Sequence, residues 1–598
     1  MIEPFVSIPA HFRERGAAHP LRPAFAFKSG DKWITRNWKE YVGLVESFGK
    51  ALLAQGIGKG DVVAILAGNR PEWVIADMGS MSIGAVSTGI YYTCSTEQIR
   101  TLLEDSGARV VVVDTPLLLG RLLKALTADT SVELIIAMER AETDDSRVVH
   151  WQQFLERSLE VADDDFDSAH QAIGPDDLCS LVYTSGTTSS AKGVRLTHGN
   201  LVEITRMGLQ MIGHPSKDYR LLSYLPLAHV AERGLTLLGA AMQGYTVYFA
   251  ESIEKLPANL LEVQPSFFLG MPRLWEKMYD IVSGRLESLS GTKGKVTRWA
   301  RRQIFDSTSL RMSGRQPGFL LRKKLAVAVA LVQKPVLRQL GLDKVTTAIS
   351  GSAPLPTHVQ EFFASLGVVI QDVYGLSETG GPASFCRETD MKFGTIGKPF
   401  DGVEMKLGPD GEILVRGRNV FVGYHRDEQA TRNALVDGWL HTGDLGEVDS
   451  DGFFRIVGRK KEILVTSYGK NIAPGKIESA LKMSSLIDEA VLVGEQRRFV
   501  SALIVVNRGA AARAVGLAPA EIDMQGADLR LVIQHEIDRV NETLASAEQV
   551  RRFTILERSL TIADGEYTPT MKIVRHAVSR SFATEIERMY SNSFSTNA

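Results

Sequence analysis

Residues 62–114 read VVAILAGNRPEWVIADMGSMSIGAVSTGIYYTCSTEQIRTLLEDSGARVVVVD, and this stretch decides the fold class. Val62–Leu66 and Arg109–Asp114 are short apolar runs of strand length and composition. Between them, Pro71-Glu72 suits the first turn of a helix, and Ser95-Thr-Glu-Gln98 fits a capping box ahead of another. Upstream, residues 41–53 (YVGLVESFGKALL) carry apolar side chains at helical spacing, with Gly56 placed to end that helix. Buried strands alternating with helices predict α/β layers around a largely parallel sheet.

The chain has 598 residues, enough for several domains with ample cores. Its composition, 44% apolar and 23% charged, is that of a globular protein. A net charge of −2 excludes a globally basic nucleic-acid binder. Three cysteines (Cys94, Cys179, Cys386) form neither a disulfide framework nor a paired metal-ligand spacing, which predicts a reducing, cytoplasmic setting. The N-terminal MIEPFVSIPAHFRERG lacks the pattern of a secretory signal. The longest suspect apolar run, Leu325–Val332, is far short of the roughly 20 residues that span a bilayer.

Further along, residues 175–250 read as short strands separated by Gly- and Ser-rich turns, and 340–380 return to α/β spacing, with VTTAIS and GVVIQDVYG as strands. Residues of about 394–457 read as a small β-rich subdomain, punctuated by Asp410-Gly411, Asp437-Gly438 and Asp451-Gly452. After Gly458-Arg459-Lys460-Lys461 the texture becomes α+β. The preferred division is therefore 1–459 and 460–598, with a hinge near Lys461. One segment differs in charge: 284–339 holds 13 Lys and Arg against only Glu287 and Asp306.

Three clusters carry chemistry. Tyr183-Thr-Ser-Gly-Thr-Thr-Ser-Ser-Ala-Lys-Gly193 follows an apolar lead-in, and its hydroxyls, backbone N–H groups and Lys192 suit phosphate oxygens. It is not a Walker loop, because Ala191 and Gly193 stand where Gly and Ser/Thr are required. Gln371-Asp-Val-Tyr-Gly-Leu-Ser-Glu-Thr-Gly380 offers Tyr374 for a base, Glu378 for Mg²⁺ and Thr379 for a phosphate. Trp439-Leu-His-Thr-Gly-Asp444 presents a loop carboxylate that suits two ribose hydroxyls. Taken singly, each is also an ordinary strand-and-turn sequence.

Their order matters more. They are followed by Gly458-Arg-Lys-Lys-Glu-Ile-Leu-Val-Thr-Ser-Tyr-Gly-Lys-Asn-Ile-Ala-Pro474 and Gly565-Glu-Tyr-Thr-Pro-Thr-Met-Lys-Ile-Val-Arg575. With these five ordered motifs the chain closely resembles the adenylate-forming (AMP-binding) superfamily, and within it the long-chain fatty acyl-CoA synthetases, over almost its whole length. The resemblance implies a large N-terminal domain of two α/β subdomains and a small β-rich one, followed by a smaller, mobile α+β C-terminal cap. It implies two reactions: a carboxylate and ATP give acyl-AMP and pyrophosphate, and the thiol of coenzyme A then displaces AMP.

The resemblance also implies residue roles. Thr184, Ser185, Gly186, Thr187, Thr188 and Lys192 form the phosphate loop, and Thr184 shares a Mg²⁺ with Glu378. Tyr374, followed by Gly375, packs on adenine, with Asp372 and the turn Gly351-Ser352-Ala353 along its edge. Thr379 meets the α-phosphate, Asp444 and Arg459 hold the ribose, and Gly469 passes close to coenzyme A. Lys572 is the adenylation lysine, and His229, in Pro226-Leu-Ala-His-Val-Ala-Glu-Arg233, sits nearest the reacting carboxylate. Trp275, in Gly270-Met-Pro-Arg-Leu-Trp-Glu-Lys277, reads as packing. Two departures stand out: Ser189 and Ala191 occupy positions where the family usually has Gly and Pro.

The basic segment matches an insertion of long-chain members and reads either as a solvated face or as a dock for an anionic membrane surface. Two alternatives to a fatty acid:CoA ligase remain at this stage: a ligase that hands acyl-AMP to a carrier protein, and a catalytically silent acyl-AMP or lipid sensor. Acyl chain length and oligomeric state, including a homodimer, stay open.

Overall fold

The computed structural model describes residues 5–183, 192–212, 218–518, 521–568 and 572–591. Five sheets organise them. A seven-stranded sheet runs in the order Val148–His150, Leu134–Ala137, Val110–Val113, Val62–Leu66, Val86–Ile90, Leu178–Tyr183 and Gly193–Thr197. Every pairing is parallel except the last. Its central strands Val62–Leu66, Val110–Val113 and Leu134–Ala137 are apolar throughout because both faces are covered. Val63, Ile65, Val110 and Val112 pack into one core, whereas Val62, Ala64, Leu66, Val111 and Val113 pack into another. The capping box at Ser95 forms with both of its bonds, and helix Thr96–Ser106 ends on left-handed Gly107.

A nine-stranded sheet lies beside it, with Thr347–Gly351 and Ile370–Leu376 adjacent and parallel near one end. A β-rich unit spans Val403–Arg459, and its Asp437-Gly438 turn takes positive φ at both residues (51° and 76°), which matches the twist of a tight hairpin. The C-terminal unit is built on Ile487–Val493, Val500–Val506 and Val550–Ile555. Alternation along its strands feeds two cores: Ala490, Leu492, Ala502 and Ile504 face one side, Val491, Val493, Leu503 and Val505 the other. A large α/β domain carrying a β-rich unit and followed by a smaller C-terminal domain is the architecture expected.

One stretch differs from its sequence reading. Within 175–250, alongside short strands, lie helix His198–Ile212 and a bent helix made of Val230–Arg233, the π-helical Gly234–Gly239 and Ala240–Gln243. Helix His198–Ile212 buries Leu201, Ile204 and Ile212 and leaves Arg206 exposed, an amphipathic pattern that the turn-rich sequence around it outweighs. The basic segment forms helices Gly291–Met312, Phe319–Ala328 and Lys334–Leu340. Ala328 and Val332 pack against Ala300 and Ile304, which makes part of the Leu325–Val332 run a helix–helix contact. Among the described residues no helix is long and apolar enough to cross a membrane.

The bent helix is tied by a buried ion pair to helix Pro71–Ser82, and by two serines to strands of the first sheet. Arg233 Nε and Nη2 donate to both oxygens of Asp77, at 2.6 and 2.8 Å. Ser87 accepts from Arg233 Nη2 at 2.8 Å, and Ser180 accepts from Nη1. Removing one partner of such a pair strands a buried charge, at a cost of about 3–5 kcal/mol. We expect Asp77→Ala to lower the urea midpoint accordingly, with Asp77→Asn intermediate; unchanged unfolding curves for both would contradict this account.

Candidate functional site

A cavity of about 810 Å³ opens where the carboxyl ends of the parallel strands meet the β-rich unit and the C-terminal domain. In open α/β sheets this is where ligands bind. Tyr183, Gly351 and Gly375, at or near the ends of their strands, all line it. The cavity has two parts. Its apolar wall comes from Ile204, Gly208, Leu209 and Ile212 of one helix and from Val230, Leu235 and Gly239 of the bent helix. The π-helical turn there is fixed by Tyr245, whose hydroxyl donates to the carbonyl of Leu235. A Cβ built on Gly208 meets nothing within 4 Å, so that position faces open space.

The polar part gathers side chains from three units. His229 caps the bent helix, accepting through Nδ1 from the Ala231 N–H at 3.3 Å. Nδ1 as acceptor places the ring proton on Nε2. Burial, and after it the charge of Lys572, pushes the imidazole down to about 4, so it is neutral at physiological pH. Lys572 also lines the cavity. Burial and then Arg459 push its ammonium below the ordinary lysine value, while Asp444, Glu378 and Glu462 pull it back up. These groups therefore form one electrostatic cluster.

Glu378 sits in the one-turn helix Ser377–Thr379 and accepts a hydrogen bond from Tyr424 Oη at 2.7 Å. Tyr424 escaped the sequence reading, since a lone tyrosine after Val422-Gly423 carries no signal. It also presents its ring 5.0 Å from Lys192 Nζ, which pairs with Asp427 at 3.2 Å. Among the described residues no group of three His, Cys, Asp or Glu could hold a metal by itself. Glu378, Glu412 and Glu462 all line the cavity without forming a ligand set, which suits a hard cation that arrives with phosphate oxygens.

Several expected residues stand behind the cavity wall. Tyr374 is buried, and its hydroxyl donates to Asp444 Oδ2 at 2.9 Å. Arg459 Nε reaches Asp444 Oδ1 at 3.0 Å. Asp372 is buried, accepts from Gln360 at 2.8 Å and leaves Oδ1 without a partner; burial pushes its carboxyl well above the usual range. Thr379 is fully buried and spends its hydroxyl on its own turn, donating to Gly381 O at 2.6 Å. Gly375 is confined by Gly381 and Pro382, leaving no room for a Cβ. Ser352 lines the cavity with φ of 70°, an uncommon left-handed backbone for a side-chain-bearing residue.

Ala353 is exposed beside it, and Gly469 lies exposed in a turn away from the cavity lining. Lys461, in the one-turn helix Lys460–Glu462, lines the cavity rim. Trp275 is fully buried and bonds Ile349 O at 3.3 Å, as packing predicts. Thr184, Ser185, Gly186, Thr187 and Thr188, with the departures Ser189 and Ala191, lie outside the described residues.

Comparison with known proteins agrees with this geometry. Residues 12–425 match the AMP-binding enzyme family, and 461–593 match the AMP-binding enzyme C-terminal domain. A long-chain-fatty-acid–CoA ligase of Mycobacterium bovis is 36% identical over 567 residues, covering 93% of this chain and 92% of the relative. One from Homo sapiens is 30% identical over 626 residues, covering 98% and 92%. Among solved structures, the adenylation domain of a carboxylate reductase from Mycobacterium chelonae superposes with a TM-score of 0.75 at 20% identity, covering 98% of this chain and 92% of that one. A Mycobacterium tuberculosis fatty acyl CoA synthetase superposes at 0.63 and 20%, covering 97% and 99%. The chain belongs to the adenylate-forming AMP-binding enzymes and, within them, to the long-chain acyl-CoA synthetase family.

The lysine in this cluster makes a pH prediction. A lowered pKa means the proton leaves at lower pH than from a free lysine, ordinarily near 10.4. Acid-dependent ATP–pyrophosphate exchange should therefore show an alkaline limb below that value, and Lys572→Arg, always charged, should remove the limb. Lys572→Ala should lower exchange by about 10²–10³. Identical pH profiles in wild type and Lys572→Arg would dissociate Lys572 from adenylation.

Proposed function

We propose that this protein is an AMP-forming long-chain fatty acid:CoA ligase that works through an acyl-adenylate. The observation that carries the reading is the junction of an apolar arm with a polar chamber where Lys572, His229, Arg459 and Glu378 converge. A fatty acid lies in the arm with its carboxylate at the chamber. One carboxylate oxygen attacks the α-phosphorus of ATP, the bond to the bridging oxygen breaks, and pyrophosphate leaves. Charge grows on the α-phosphate oxygens during attack, so Lys572 stabilises the transition state more than the ground state.

Neutral His229 donates from Nε2 to the carboxylate and orients it. Asp444 and Arg459 serve the ribose edge, and Lys192 the terminal phosphates. Magnesium bound with the triphosphate neutralises its charge; Glu378 and Thr184 would hold it. In the second step the sulfur of coenzyme A attacks the acyl carbonyl, the bond to the phosphate oxygen breaks, and AMP departs. Acids of eight to twenty-two carbons, assayed for AMP release and thioester formation, test the assignment; acyl-AMP formed without transfer to coenzyme A would favour a carrier-protein acceptor instead.

Gly208 allows a sharper test. A larger side chain there enters the arm, and in a helix interior it removes a glycine worth about 1 kcal/mol of instability. Gly208→Leu should fold normally, keep octanoate activity and lose roughly 10–100-fold on hexadecanoate. Equal loss on both acids would place the chain elsewhere.

We also propose that the basic segment docks on an anionic lipid surface. Phe319, Leu320, Val327 and Leu331 are all exposed, beside exposed Lys323 and Lys324. Apolar and cationic groups together suit a bilayer interface rather than solvent alone. Not every cation is available: Arg301 donates to Ser365, Arg322 to Pro317 O, and Arg311 pairs with Glu388. Lys323 lies over the Phe319 ring, with Nζ 4.5 Å from its centroid, and each such Lys contributes about 1 kcal/mol near an anionic surface, screened by salt. Lys323→Glu with Lys324→Glu should weaken sedimentation with phosphatidylserine vesicles at low salt, and Phe319→Ser with Leu331→Ser should weaken it at high salt too. Unchanged sedimentation in both would leave a solvated face.

A further inference from the structure

We propose that Arg273 of the large domain is a positioning residue for adenylation, gripping the base of the C-terminal hairpin that presents Lys572. The inference rests on the assignment of Lys572 to adenylation and adds what holds it in place. Arg273 is the second residue of helix Pro272–Glu287. That helix is anchored two residues later by fully buried Trp275, packed edge-on against Phe268 and Phe363. The guanidinium therefore stands on a rigid support.

It meets two separate elements of the C-terminal domain. Arg273 Nη2 donates to Glu489 Oε2, on strand Ile487–Val493, and to Tyr567 Oη. Its Cζ also lies 4.6 Å from the centroid of the Tyr567 ring. Tyr567 donates in turn to Glu489 Oε2 at 2.9 Å, and Lys482 pairs with Glu489 Oε1 at 3.1 Å. Glu489 and Tyr567 are both buried. A buried carboxylate with a cation on each side and a phenol between forms a closed cluster rather than a loose surface pair.

Tyr567 is also the base of the lysine's own hairpin. It bridges antiparallel to Ile573, while the Thr568 N–H donates to Lys572 O at 2.8 Å and the Val574 N–H to Glu566 O at 2.8 Å. Lys572 N in turn donates to Thr568 Oγ1 at 3.0 Å. The cavity lysine thus lies five positions after the gripped phenol and is joined to the same short ladder by these bonds. A shift of the base moves the ammonium, and a misplacement of about 1 Å at a reacting centre can cost 10²-fold in rate. Arg273 does not line the cavity, so it acts only through this contact.

The test compares the two half-reactions in the full-length enzyme. Arg273→Ala should lower the kcat of ATP–pyrophosphate exchange about 10–100-fold with little change in the KM for ATP. Thioester formation from supplied acyl-AMP should stay within about twofold. Removing Arg273 takes a cation from the buried Glu489 carboxylate and should lower the melting temperature, so assays are run well below it and the inequality of the two half-reactions is the readout. Arg273→Lys keeps the charge against Glu489 but loses the planar fork, and Tyr567→Phe keeps the ring but loses its bonds; both should fall between. Arg273→Ala/Lys572→Ala should be no slower in exchange than Lys572→Ala alone, because one residue acts through the other. Wild-type exchange in Arg273→Ala, additive losses in the double variant, or matched losses in both half-reactions would overturn the grip. Wild-type exchange in Lys572→Ala would instead overturn the lysine assignment on which it rests.

Discussion

The Arg233–Asp77 pair is the constraint on which the site depends. Two twisted sheets must be held at a fixed offset for the ends of their strands to frame one cavity, and apolar packing alone tolerates small slides. A bidentate guanidinium–carboxylate contact with two serine hydroxyls fixes both distance and angle. Its position in the chain gives it further reach. Arg233 lies one helical turn after His229, and the π-helical turn that shapes the apolar wall begins at the next residue. One buried ion pair thus orients both the imidazole and the apolar arm.

The polar chamber is organised by mutual compensation. Burial and then Arg459 disfavour the charge of Lys572, while Asp444 and Glu378 favour the charge of both cations. Glu378 is in turn held by Tyr424, whose ring faces Lys192. Each of these side chains comes from a different element, so the chamber exists only when the large domain, the β-rich unit and the C-terminal hairpin are assembled. Glycine and strain appear where backbones must approach closely: Gly375 sits against Gly381, and Ser352 accepts a left-handed backbone at the cavity wall.

Much of this was legible in the sequence where the physics is local. Val62–Leu66 and the Ser95 capping box depend on neighbours within a few residues, and they read correctly. Ordered motifs likewise named His229, Glu378, Arg459 and Lys572, which line the cavity. What the sequence concealed is direction. Thr379 has the right chemistry for a phosphate but gives its hydroxyl to its own turn, and Tyr374 has the right ring but is buried under Asp444. Helix His198–Ile212 carries its amphipathic period inside a stretch whose glycines and serines signal turns, and the turn signal dominated. Tyr424 and Arg273 act through partners hundreds of residues away or in another domain, and no spacing rule reports such contacts.

The Asp444 carboxylate shows how these contacts bear on nucleotide binding. One oxygen accepts from Tyr374 and the other forms an ion pair with Arg459, so its strongest interactions are taken before any ribose enters. Burial raises its carboxyl above the usual aspartate range, and Arg459 is the leading influence that lowers it again. A ribose that uses this carboxylate must share or displace one donor. Tyr374 is buried and fixed in its strand, whereas the Arg459 side chain is 41% exposed and stands at the junction with the C-terminal domain. Arg459 is therefore the donor free to swing. Under the proposed ribose role of Asp444, its release would couple nucleotide recognition to the segment that leads into the lysine-bearing domain.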